Sequence, residues 1–208
     1  MPVNLAELVD PAATAMITME VQRGVCGDLA TMPALADVVA AQGTLVAIAG
    51  ALRAARSAGV PVVHCTFSMV PDRSISPLNT PLLLRLSKNP DHLLHGTPAV
   101  EVCPEIGIDA GDLFSDRHHG MSPFIGTGLD DELRGRGITT VVVTGVSLNL
   151  GIPGAVIEAV NFGYRVVVVR DAVVGVPVEY GEQILTNSLP VVATIVTGEA
   201  LAAAWQSA

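Results

Sequence analysis

Positive charge is scarce in this chain: 11 Lys and Arg stand against 20 Asp and Glu, for a formal net charge of -9. Few residues are left from which a long basic groove could be built, so nucleic-acid binding is not expected. Long apolar runs are missing as well, because Gly, Pro or charge breaks each one before the roughly 20 residues that a bilayer span requires. No membrane partner is expected. The opening stretch "MPVNLAELVDPAATAM" lacks the basic start and apolar core of a signal peptide, which makes a cytoplasmic location the expectation. Cysteine is limited to Cys26, Cys65 and Cys103, an odd number without CxxC spacing, which argues against a disulfide framework and a thiolate metal site. Aromatic residues supply only 3% of the chain, so the core has to be built from small aliphatic side chains. Helices rich in Ala and Val could also bury an outer face in an oligomer.

What the sequence does hold is apolar side chains, 50% of 208 residues, enough for one domain spanning 1–208. β-branched runs recur: "TAMITMEV", "VPVVHCTF", "DLFS", "ITTVVVTGV", "YRVVVVRDA" and "VATIVT". Helical patterns lie between them, and such alternation predicts βαβ units around a parallel sheet covered on both faces. The fold class is therefore α/β, a three-layer α/β/α sandwich with a mostly parallel six-stranded sheet. "PALADVVAAQGTLVAIAGALRAARSAG" reads as one long helix from Pro33 to Gly59, disturbed at Gly43. Further helices are expected in "GTGLDDELRGRG", capped by Thr127 and ended by Gly137, in "GIPGAVIEAVNFGY", and over 177–191 and 197–206. From Ser68 to Gly111 only "PLLLRLSK" looks helical, and so long an irregular excursion suggests a lid or an interface.

Ligands of doubly wound sheets bind at the carboxyl ends of the strands. The residues there are Glu20 and Gln22 after the first strand, Arg117, His118 and His119 after the third, and "SLNLG" after the fourth. Glu20 is either a buried general acid or base or a carboxylate facing solvent at a strand end. "DRHHG" offers two imidazoles and a guanidinium for an anion or a metal, although adjacent histidines in an extended segment point to opposite sides. As a plain surface loop it would do neither. Cys26 could be a nucleophile or simply a buried thiol. Cys65 and Cys103 look structural, and His64, inside a strand, reads as a satisfied core histidine. "VTGVSLNLGIPG" matches neither GxGxxG nor GxxxxGK[ST], so no nucleotide cofactor is expected. Its glycines fit a tight strand-to-helix turn whose N–H groups suit an oxyanion or a carboxylate.

Taken in order, "EVQ", "HGTPAVEVCPEIGIDAGD", "SPFIGTGLDDELRGRGI" and "VVTGVSLNLGIPGAVIEAVNFGYRVVVVRDA" resemble the isochorismatase-like, or cysteine hydrolase, family over nearly the whole chain. The resemblance implies a catalytic Asp, Lys and Cys, and all three positions depart here. Glu20 stands for the aspartate, Arg117 or His118 for the lysine, and Gly151 for the cysteine. A thioester acyl-enzyme at that position is then excluded, and Ser147 and Asn149 do not obviously replace the thiol. Isochorismatases proper also carry glycine there and split a vinyl ether by protonation and attack of water. By that analogy Glu20 would be the general acid, with Arg117 or His118 holding a substrate carboxylate or steadying Glu20. Gln22, His119, Ser147, Asn149, Leu150 and Gly151 are the expected substrate-binding set. The family often has a cis peptide in the "TGV" turn, Val146–Ser147 here. Nicotinamidases of the family hold a metal through an Asp and histidines after the second strand; "HCTFSMVPDRS" lacks that spacing, so no metal is expected.

The implied function is a hydrolase of a small anionic metabolite that works through Glu20 without a thiol. The alternative is a catalytically inactive relative that serves as a small-molecule-binding or oligomeric partner protein, and a minor third reading recruits Cys26 as a relocated nucleophile. A homodimer or homotetramer follows from the resemblance and the small-residue helices.

Overall fold

The β-branched runs form one sheet. In the computed structural model, which describes residues 4–72 and 74–207, the strands are β1 Thr14–Met19, β2 Val62–Phe67, β3 Leu113–Arg117, β4 Thr140–Val146, β5 Arg165–Val174 and β6 Thr194–Val196. All neighbours pair in parallel in the order β3-β2-β1-β4-β5-β6, so the mostly parallel sheet expected from the sequence is wholly parallel among the described residues. The central strands β1, β2 and β4 are buried at every position, as required when helices cover both faces, and this is why their sequences read as continuous apolar runs rather than alternating ones.

Alternate residues face different layers. Met16, Val62, Val142 and Val167 meet Ile48 and Leu52 of α4 (Thr44–Ser57) and Leu201 and Trp205 of α9 (Gly198–Gln206). Ile17, Val63, Val143 and Val168 meet Leu129 and Leu133 of α6 (Leu129–Gly135) and Ile152, Ala155 and Ala159 of α7 (Gly151–Asn161). This is the three-layer sandwich.

The long helix expected from Pro33 to Gly59 is two helices, α3 (Pro33–Ala41) and α4, set 64° apart. Gly43 adopts φ 64, a left-handed conformation that ends a helix and costs glycine no steric penalty. Thr127 accepts from the Leu129 N–H at 3.3 Å, although the residue that caps α6 is Gly128. The helix expected over 177–191 narrows to α8 (Val178–Gln183) and continues as a π turn and a 3-10 turn. Between β2 and β3 the only α-helix among the described residues is α5 (Pro81–Leu86), within "PLLLRLSK". Among the described residues no single helix is long and apolar enough to cross a membrane.

A buried polar chain fixes the start of β3. Arg56 grips the Asp112 carboxylate with Nε at 3.0 Å and Nη2 at 2.6 Å, and His64 Nε2 lies 3.0 Å from the same carboxylate. Thr18 Oγ1 lies 2.9 Å from His64 Nδ1. With the carboxylate accepting at Nε2, the neutral ring keeps its proton there and Nδ1 accepts from the threonine. His64 is the satisfied core histidine expected. Burial holds its pKa below the ordinary value, with Asp112 working in the opposite direction. For Asp112 burial acts upward, but Arg56, the Asp109 N–H and His64 outweigh it, and the carboxyl sits below the usual range.

Candidate active site

The strand order reverses between β1 and β4, and the crevice beyond their carboxyl ends is where a doubly wound sheet binds ligands. Glu20 follows β1 directly. Its φ is +51, a left-handed conformation that costs a non-glycine residue roughly 1–2 kcal/mol and turns its side chain out of the strand's alternation. On the other side of the crevice the Val146–Ser147 peptide is cis. Gly145, at φ 109, lets β4 lie directly against the Met19 backbone, where no side chain would fit.

Arg117 ends β3 and reaches across to Glu20. Its Nη2 donates to Glu20 Oε1, its guanidinium lies 5.1 Å from the centroid of the Phe67 ring, and its side chain is 2% exposed. Thr66 O, at 3.4 Å, is a weak further acceptor, and Arg117 Nε is buried without a hydrogen-bond partner. The pair lines a cavity of about 90 Å³. Leu83, Leu86, Leu93 and Met121 form much of its apolar wall, and His92, Ser147, Leu150 and Gly151 complete the polar and backbone side.

The structure thus separates the two candidates for the basic position. Arg117 faces the cavity. His118 turns the other way, its Nδ1 3.1 Å from Ser68 Oγ and 3.2 Å from Ser68 O, because consecutive residues of an extended segment alternate sides. Of the expected substrate-binding set, Ser147, Leu150 and Gly151 line the cavity and Gln22, His119 and Asn149 do not. Gln22 is fully buried and spends its amide on backbone, with Nε2 donating to Phe67 O and Val100 O and Oε1 accepting from the Phe67 N–H. Asn149 bonds Val176 through its N–H and its carbonyl, and His119 sits over Gly126. Cys26, Cys65 and Cys103 are all buried, and none lines the cavity. A hydrogen bond with Cys103, followed by burial, pushes the Cys26 thiol far above its ordinary range, which leaves it a poor nucleophile. His92 and the leucines of α5 were not among the expected site residues; the apolar run "PLLLRLSK" was the leucines' one signal in the sequence, and His92 had none.

The model of the isochorismatase domain matches residues 14–200. The chain belongs to the isochorismatase family. An uncharacterised isochorismatase family protein of Bacillus subtilis (strain 168) is 39% identical over 72 residues, 35% of this chain and 38% of the relative, so the matched stretch spans well under two thirds of that relative. The ureidoacrylate amidohydrolase of Methylobacterium radiotolerans is 27% identical over 176 residues, 79% of this chain and 68% of the relative. The crystal structure of N-carbamoylsarcosine amidase from Thermoplasma acidophilum superposes with a TM-score of 0.71 at 28% identity, covering 90% of this chain and 97% of that one. The cavity of this isochorismatase-family chain brings together one carboxylate, one buried guanidinium and the first turn of α7, whose dipole favours an anion.

Proposed function

We propose that this isochorismatase-family hydrolase cleaves a small anionic metabolite by acid/base chemistry at Glu20, without a protein thiol. The observation that carries the reading is the cavity lining: one carboxylate, Glu20, held by the buried Arg117, and no cysteine. Acting as general base, Glu20 draws a proton from water and sends the resulting hydroxide equivalent at the substrate. Arg117 keeps the acceptor oxygen aimed into the cavity and, with the Gly151 N–H at the start of α7, offsets negative charge on the substrate and in the transition state. The same carboxyl group, once protonated, returns its proton to the leaving group. Leu83, Leu86 and Met121 hold the apolar part of the substrate and exclude bulk water. Kinship supports the substrate class, since ureidoacrylate and N-carbamoylsarcosine, named for the two relatives, are small carboxylates.

The test is turnover by mass spectrometry of a panel of small amides, ureido acids, enol ethers and lactones, each with and without a carboxylate. The wild-type protein is expected to hydrolyse at least one carboxylate-bearing member, Glu20→Gln to lose about 10²–10⁴-fold in rate, and iodoacetamide to leave the wild type active. Undiminished turnover in Glu20→Gln, or inactivation by alkylation, would overturn the mechanism.

A further inference from the structure

On the side of β3 away from the cavity, three side chains from separate parts of the chain converge. His95 Nδ1 lies 3.6 Å and His118 Nδ1 3.8 Å from Asp116 Oδ2, and the three ligand atoms are all within 4.8 Å of one another. We infer that His95, Asp116 and His118 form a site for a divalent transition metal of the zinc class.

Two imidazole nitrogens and one carboxylate oxygen are the donor set that zinc takes in open sites, completed by water. Metal–ligand bonds of about 2.0–2.1 Å set neighbouring ligands of a tetrahedral ion roughly 3.4 Å apart, a few tenths of an ångström from both histidine–carboxylate separations. Rotation of the exposed His95 ring closes the remaining gap between the imidazoles, which meet edge to face with centroids 5.5 Å apart. The carboxylate is already oriented: Thr66 Oγ1 donates to Asp116 Oδ1 at 2.9 Å, which leaves Oδ2 toward the histidines, the outer-shell arrangement that metal sites use. Ser68, fully buried, places its Oγ 2.6 Å from Asp116 Oδ2 and 3.1 Å from each Nδ1, and it stands in reach as a fourth ligand, through oxygen. The side chains remain accessible to an ion from solution, with 59% of His95, 32% of Asp116 and 27% of His118 exposed.

Two of the three ligands, Asp116 and His118, lie in the "DRHHG" run, but His95 comes from an irregular segment whose path only the fold reveals. The three are also not the set of one aspartate and histidines after the second strand that nicotinamidases use. A bound ion would pin His95, two residues from the cavity-lining Leu93, to the strand that carries Arg117, and so fasten the irregular segment over the pocket.

The experiment is isothermal titration of the metal-free protein with Zn²⁺, together with the visible absorption of the Co²⁺-substituted protein. One equivalent should bind, with a tetrahedral Co²⁺ spectrum. His95→Ala, His118→Ala and Asp116→Asn should each weaken binding about 10–100-fold or more and abolish the spectrum, with circular dichroism confirming the fold. His119→Ala should bind as wild type does. Equal binding in wild type and in the three ligand variants, or loss of binding in His119→Ala, would overturn the assignment. The readout is independent of any hydrolytic activity.

Discussion

The Glu20–Arg117 pair is open to an unusually discriminating perturbation, because its two members are not equally buried. Arg117 is 2% exposed and Glu20 21%. In Glu20→Gln the guanidinium stays sealed in the protein with an amide oxygen in place of a carboxylate, a carbonyl at 3.4 Å and the face of Phe67. Removing one partner of a buried pair costs about 3–5 kcal/mol. The glutamine keeps one neutral hydrogen bond, worth about 1 kcal/mol, and Glu20 starts partly hydrated, so about 2–4 kcal/mol is expected. In a chain of this length that lowers Tm by roughly 2–4 °C per kcal/mol. Arg117→Met removes the buried charge and leaves Glu20 able to take water from the cavity, so it should cost less than Glu20→Gln. The double variant then has no stranded ion and should be more stable than Glu20→Gln alone, although it carries one more substitution. Urea denaturation of the four proteins yields the coupling energy directly. If the two losses simply add, or if Glu20→Gln costs less than about 1 kcal/mol, the pair is not the electrostatic unit described here.

Two further outcomes follow from other parts of the molecule. A histidine in the unfolded chain titrates near about pH 6.5, and burial holds folded His64 lower; between the two values the unfolded chain binds the extra proton, so stability falls as pH drops through that window and levels off beneath it. Tm measured from about pH 8 to about pH 5 should therefore be flat above about 6.5 and decline below it, with a shallower decline in His64→Gln; equal slopes would clear His64 of responsibility. Gly145→Ala would put a Cβ against the Met19 carbonyl oxygen and 2.7 Å from the Met19 nitrogen, at φ 109. Backbone strain of about 1–3 kcal/mol and overpacking of about 1–3 kcal/mol should together destabilise the fold clearly in urea, and a variant as stable as wild type would show that β1 and β4 do not need this close approach.

The strands were legible because a sheet covered on both faces demands unbroken β-branched runs, and "TTVVVTGV" and "YRVVVV" have few other uses. The break at Gly43 was harder to read: the Ala and Val periodicity continues across it, and only the left-handed backbone of that residue makes it a corner. At the site, Glu20 and the start of α7 could be found from strand ends, and the family pattern brought Arg117 within one residue. Strand alternation then decided between Arg117 and His118, but only once the register of β3 against β2 was known. Gln22 and Asn149 misled for a physical reason. Polar side chains beside a pocket are equally useful for satisfying the backbone that shapes it, and composition does not distinguish the two uses. His92, Leu83 and Leu86 lay in a stretch without periodicity, where the path of the chain is set by contacts distant in sequence.

The alternation along β3 limits how this chain can vary. Asp116 and His118 look outward and Arg117 looks inward, so inserting or deleting a single residue in the strand would swap the two sides. The guanidinium would move to the surface and an imidazole or a carboxylate would face Glu20. Loops elsewhere in the chain can drift in length by small steps, but here a gain or loss must come in pairs or be absorbed outside the strand before Arg117. Among descendants of this sequence, length changes next to β3 should therefore be even-numbered or accompanied by a different residue facing Glu20.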